Sequence, residues 1–166
     1  MPVAIRAGTA VGLLLCLCPT RATPADAPGA GEQNASARRV AEAFLRGYQD
    51  RDLERIMAEV AVPWFHDGKA VLVERGDLEQ ELRLLLERRR GEPPTQYEIA
   101  TVIPYARVRA QVDAAEQRLL DQVLSADDRL VLVRVRRGSG PSERLEAVTL
   151  LVRHRDGVAK VVGLKA

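Results

Sequence analysis

The chain holds two histidines, His66 and His154, and two cysteines, Cys16 and Cys18. His66 adjoins Asp67, and an imidazole beside a carboxylate is how many general bases are oriented. Neighbouring residues of an extended segment point opposite ways, however, and Asp67-Gly68 reads as a turn, so a structural or exposed His66 is the simpler expectation. His154 alternates with Val148, Leu150 and Val152 between Arg153 and Arg155, the pattern of a surface residue at a strand end. Two histidines so far apart, with no partner at i+4, do not make a metal site. Beyond Cys18 no thiol remains for a disulfide, a thiolate metal site or a nucleophile. Glu74, Glu98 and Glu146 fall in strand-like segments. One that pointed inward would have a raised pKa and become a base candidate, but alternation turns them toward water. Gly-rich phosphate loops, a Gly-x-Ser-x-Gly elbow and His-Glu-x-x-His are all missing, so no catalytic residue is assigned and no cofactor or metal is expected.

The other chemically distinctive set is aromatic. Such residues make up 4% of the chain, and all of them lie between Phe44 and Tyr105. Tyr48, Trp64, Phe65 and Tyr105, with His66 beside them, are the candidate lining of a pocket for a small apolar ligand. The same side chains would serve equally as core, since each buries a large apolar area. Arginines cluster at Arg88-Arg89-Arg90 and at Arg134, Arg136, Arg137, Arg153 and Arg155. The first run completes a helix end, and the second set decorates hairpin tips and sheet edges, where charge deters edge pairing. Lys plus Arg number 25 against 23 Asp plus Glu, a formal +2, and so slim an excess argues against a nucleic-acid partner.

These residues must be positioned by something, and periodicity says what. Hydrophobic residues at 46% and charged residues at 29% are a globular balance. From Ser36 the period is helical, with Val40, Ala43, Phe44 and Gly47 on one face beside Ala41, Leu45 and Tyr48. Asp52 is placed to cap a second helix from Leu53 to about Val60, which Pro63 stops. A short strand follows at Ala70–Glu74. Asp77, with Gln80 as its reciprocal partner, marks the start of a third helix carrying Leu78, Leu82, Leu85 and Leu86. Tyr97 to Ile103 alternates as a strand. After Pro104 the period returns to 3.6 through Tyr105, Val108, Val112, Leu119, Leu120 and Val123, giving one or two more helices. Three strands close the chain at 129–137, 144–155 and 158–164, the last two joined by Asp156-Gly157, a strong hairpin signal.

Ahead of these elements, Arg6 precedes an apolar run from Ala7 to Leu17, about right for a signal-peptide core and too short to span a bilayer. Cleavage is expected near Ala22 or Ala25. The large Leu15 and Leu17 beside the two cysteines argue against a lipid anchor. Residues 26–35, rich in Pro, Ala and Gly, read as a flexible leader. The mature chain should therefore be exported, to the periplasm, the cell surface or the medium, with no membrane span.

Helices gathered early and antiparallel hairpins late make an α+β domain over residues 36–166. In that order of elements the chain resembles the nuclear transport factor 2-like superfamily, with its SnoaL-like and ketosteroid-isomerase-like branches. The resemblance is carried by Tyr48-Gln49-Asp50-Arg51-Asp52-Leu53, Val62-Pro63-Trp64-Phe65, Gly76-Asp77-Leu78 and Asp156-Gly157-Val158-Ala159-Lys160-Val161-Val162-Gly163. It implies a cone-shaped fold, in which a strongly bent sheet carries three N-terminal helices on its concave face and encloses a pocket, often in homodimers. The helical stretch from 105 to 124 departs from the minimal family pattern and bears on the shape of the pocket mouth. Three functions follow as expectations. The first is a non-catalytic binding or accessory domain. The second is a cofactor-independent lyase, isomerase or hydrolase working by acid–base chemistry in the pocket. The third is a purely structural homodimer.

Overall fold

The computed structural model describes residues 29–66, 69–91, 95–138 and 144–165. Helix α1 runs Ala30–Asp50 and begins ahead of the Ser36 marked by periodicity, so the later part of the expected leader is helical. Its first turns carry Gln33, Asn34 and Ser36, which have no apolar period to read. They are held instead by polar bonds to Arg129 and His154. The expected signal peptide lies outside the described residues.

Asp52 caps α2 (Leu53–Glu59) as expected, its side chain accepting from Arg55 N at 3.0 Å. Strand β1 (Val60–His66) starts directly at the end of α2, so the helix stops before Pro63 is reached. Strand β2 (Ala70–Leu72) folds back on it. Helix α3 spans Arg75–Arg88 with Glu74 at the cap position. Asp77 is therefore within the first turn, not the cap; its charge still faces the positive end of the helix dipole. Then come β3 (Thr95–Pro104), α4 (Tyr105–Val108), a 3₁₀ turn at Arg109–Gln111, and α5 (Ala114–Val123). Strands β4 (Arg129–Arg137), β5 (Arg144–Arg155) and β6 (Val158–Lys165) close the chain. Asp156 and Gly157 both adopt positive φ between β5 and β6, the conformation a two-residue hairpin needs.

The six strands form one sheet in the order β2-β1-β6-β5-β4-β3, antiparallel throughout except for the β1–β6 pair. Register slips between Ile99 and Thr101, between Leu151 and Val152, and between Val60 and Phe65. Each slip disrupts the ladder and adds local twist, which bends the open sheet into the expected cone.

Alternation gives this sheet two apolar faces. The concave face presents Trp64, Val131, Val133, Val135, Leu150, Val152 and Val161, against which Ala37, Val40, Ala41 and Phe44 of α1, Ile56 and Met57 of α2, and Leu78, Leu82 and Leu86 of α3 are buried. The convex face presents Phe65, Leu130, Leu151 and Val162, covered by Tyr105, Leu120, Val123 and Leu124. The helical stretch at 105–124 thus packs behind the sheet and does not shape the mouth of the cone. The reason is its own stripe: Leu120, Val123 and Leu124 bury on the convex apolar residues that α1 to α3 cannot reach.

A cavity between helix one, helix three and the sheet

Inside the cone a cavity of about 260 Å³ lies between α1, α3 and the inner faces of β3 to β6. Its walls follow from two sequence periods. On α1, Phe44, Leu45 and Tyr48 succeed one another on the buried face; on α3, Leu85 lies beside the leucine stripe, and Arg89 follows at the cap just past the helix end. On β4, Val131, Val133, Val135 and Arg137 alternate inward, so Arg137 shares the face of the valines. Tyr97, Val148 and Leu164 complete the apolar part.

The aromatic rings form a ladder. Trp64 tilts against Phe44 with centroids 6.4 Å apart, Phe44 stacks on Tyr48 at 6.1 Å, and Tyr97 meets Tyr48 edge-on at 6.3 Å. Arg89 locks the outer rungs. Its guanidinium stands 5.0 Å over the Tyr48 ring and donates to Tyr97 Oη and Thr95 Oγ1, each at 3.0 Å. Two further bonds close this end: Gln49 Nε2 to Thr95 O at 3.1 Å, and Arg51 Nη2 to Arg89 O at 3.0 Å. Burial pushes the Tyr48 hydroxyl above its usual pKa, against the pull of Arg89. At neutral pH it is therefore a proton donor and not a base. Arg137 also holds Glu146, at 3.1 Å, on the exposed side.

The residues expected to line one pocket are thus divided. Tyr48 lines the cavity, and Trp64 backs it through Phe44. Phe65 and Tyr105 belong to the convex cluster, because Phe65 is one residue out of phase with Trp64 and Tyr105 begins the segment that covers the back. The Tyr105 hydroxyl donates to Asp121 Oδ1 at 2.9 Å, and Arg109 grips the same carboxylate at 2.9 and 2.6 Å. His66 is half-buried near Glu81 of α3, 3.8 Å away, and neither residue lines the cavity. Asp67 lies outside the described residues. Glu74, Glu98 and Glu146 are exposed.

His154 and Arg153 depart from the surface positions expected of them. His154 is half-buried, its Nε2 lying 2.7 Å from Ser36 Oγ and its backbone N–H donating to Asp128 Oδ1 at 2.8 Å. Arg153 is buried and donates through Nη2 to Val62 O at 2.9 Å, having crossed β6 to reach β1. Sequence reasoning also missed Arg89, Tyr97 and Arg137 as wall residues. The signals were present: Tyr97 and Arg137 sit in phase with inward strand positions, and Arg89 follows at the cap of a helix whose stripe is buried. Among the described residues no group of three or more His, Cys, Asp or Glu converges for a metal, and no helix is long and apolar enough to cross a membrane.

Neither a protein-family model nor a curated protein matches the sequence. Solved structures do. A protein of unknown function from Pseudomonas putida KT2440, described as nuclear transport factor 2-like, is 16% identical with a TM-score of 0.53 over 81% of this chain and 85% of its own. A second of the same description from Shewanella oneidensis MR-1 is 10% identical with a TM-score of 0.50 over 79% and 95%. An epoxide hydrolase from M. tuberculosis is 16% identical with a TM-score of 0.46 over 80% and 82%. The first two of these, at identities this low, speak for the shape of the backbone and not for a shared reaction.

Proposed function

We propose that this chain, which has the nuclear transport factor 2-like fold, is a non-catalytic binding domain holding a small, largely apolar ligand between α1, α3 and the sheet. One observation carries the reading. Among the described residues, the lining consists of aromatic and aliphatic side chains with Arg88, Arg89 and Arg137, and includes no carboxylate and no imidazole. Acid–base catalysis needs a proton acceptor within hydrogen-bond reach of the substrate. Tyr48 keeps its proton at neutral pH, and guanidinium groups do not give theirs up. What remains is a shaped apolar wall with fixed donors, which is the composition of a binding site. The competing reading, a cofactor-independent lyase, isomerase or hydrolase, would have to draw on His66 and Glu81, which lie outside the lining.

Native mass spectrometry of the purified chain tests this directly. A bound small molecule is expected at close to one per chain, and Leu85→Trp, which fills the cavity, should abolish it. Retention of the molecule by that variant would place binding elsewhere and end the proposal. We also propose, from Arg6, the apolar run and the small-residue sites after Pro19, that the chain is exported with cleavage near Ala22 or Ala25; an intact Met1 on secreted material would refute the processing, and retention of the whole chain inside the cell would refute the export. A homodimer is proposed from the exposed outer face of β3 to β5, where Leu145 is 68% exposed, and a strictly monomeric chain in light scattering would count against it.

A further inference from the structure

We infer that Ser36 and His154 form a pH-operated latch. It holds the first turns of α1 against the end of the sheet while the imidazole is neutral, and loosens them when the ring takes up a proton. The latch stands apart from the cavity, whose α1 residues begin at Phe44. Its basis is a contact between segments far apart in the chain. Ser36 Oγ lies 2.7 Å from His154 Nε2, and it already donates its own proton to Gln33 O at 3.0 Å. The ring must therefore be the donor, through Nε2–H, and Nδ1 carries the lone pair. Among the described residues Nδ1 is buried and has no hydrogen-bond partner.

Protonation places a second N–H and a positive charge at Nδ1, where nothing accepts them. A buried charged donor left unmade costs more than an idle lone pair. The carboxylate at this end of the sheet is not free to swing across. Asp128, buried just ahead of β4, accepts from the His154 backbone N–H through Oδ1 at 2.8 Å and from Ser125 N–H through Oδ2 at 2.7 Å. The ring otherwise meets Ser36 and Gln33 of α1, Arg129 of β4 and, across β6, its register partner Ala159. On β5 itself, Arg153 turns by alternation to the other face and donates to Val62 O, and Arg155 is exposed at the strand end. Burial holds the ring below the usual histidine pKa, Arg129 acting with it and Asp128 against it. Docking is therefore complete above about pH 6.5, the ordinary value of a released ring, and weakens as pH falls toward the docked value. Loosening ends where burial resumes, at Ala37, Val40 and Ala41. Arg129 does not titrate and keeps a competing hold on Gln33 and Asn34, so the opened fraction rises but stays a minority.

Hydrogen exchange read amide by amide on the full chain, between about pH 7.5 and 5 and corrected for the intrinsic rate, tests the latch. Protection of the amides from Gln33 to Ala37 should fall as pH drops, by up to about tenfold per pH unit, the most that one proton can supply. Low urea should leave their exchange unchanged, because the end opens without exposing the core. With His66→Gln removing the other imidazole, the ring signals of His154 should show the Nε2–H tautomer at neutral pH and titrate with the same midpoint as the exchange. His154→Gln keeps a donor for Ser36 and cannot titrate, so it should flatten the exchange profile. If that variant does not fold, the match between ring and exchange midpoints decides. The latch is overturned by protection that ignores pH, by an Nδ1–H tautomer, by mismatched midpoints, or by a pH dependence that survives in His154→Gln. Exchange of these amides only together with those of Phe44 to Tyr48, at one urea dependence, overturns it as well.

Discussion

Replacing Gly163 with alanine isolates one physical requirement of the cone, the close passage of β6 across β1. A Cβ at Gly163 would lie 2.7 Å from Leu151 Cδ1, 2.8 Å from Phe65 Cβ and 3.0 Å from Phe65 O. The leucine tip can rotate away. The Phe65 atoms cannot, because Phe65 pairs in register with Gly163 and its side chain is fully buried. One strand must therefore move, and overpacking of this kind costs roughly 1–3 kcal/mol. Alanine returns about 0.4–1 kcal/mol by restricting the unfolded chain, which from the middle of each range leaves a net loss of about 1.3 kcal/mol. For a domain of this size that is roughly 5 °C in melting temperature. Gly76, in the first turn of α3, is the matched control. Nothing lies within 4 Å of its added Cβ, so Gly76→Ala should be neutral or stabilise by up to ~1 kcal/mol. Urea unfolding followed by the fluorescence of Trp64, the lone tryptophan, measures both variants. A Gly163→Ala midpoint equal to wild type, or both variants losing stability alike, would refute the packing argument.

Arg129 is buried, and it donates to Asn34 Oδ1, Gln33 Oε1 and the carbonyls of Asp127 and Asp128, so Arg129→Met should cost about 3 kcal/mol. Hydrogen exchange should show the loss concentrated in the first turns of α1. Burial lowers the His154 pKa, with Arg129 also lowering it and Asp128 opposing. Ser36 Oγ donates to Gln33 O, which leaves it to accept from a neutral His154 through Nε2–H. A depressed histidine pKa contributes stability that is present above about pH 6.5 and lost as pH falls through the folded value. The urea midpoint should therefore drop below that pH, and His154→Gln should flatten the drop; an unchanged profile would exclude His154 as its source. Tyr105, fully buried against Asp121, has its pKa raised to about 12 by burial and then by the Asp121 hydrogen bond and charge. Its contribution is complete below pH 10 and fades as pH climbs toward 12, so Tyr105→Phe should remove that part of the alkaline unfolding curve.

The order of elements was legible because period is a local property. The leucines of α3, the alternation of β4 to β6 and Asp156-Gly157 each reflect geometry decided within a few residues. Asp52 acted as the cap its type suggested. Boundaries governed by distant partners were not legible. Gln33, Asn34 and Ser36 read as leader because what makes them helical is Arg129 and His154, far along the chain.

The candidate site divides along the same line. Sequence by itself determined which residues are apolar, aromatic or charged, and which share a face of their own helix or strand; Tyr48 followed from that. Only the tertiary structure decided which faces meet. It put Phe65 and Tyr105 behind the sheet and Trp64 in front, because one residue of strand phase reverses a side chain and the helices pack on opposite faces. It also brought Arg89 and Arg137 to one cavity from α3 and β4. A cavity is a relation between surfaces distant in the chain, and no local period encodes the space left between them.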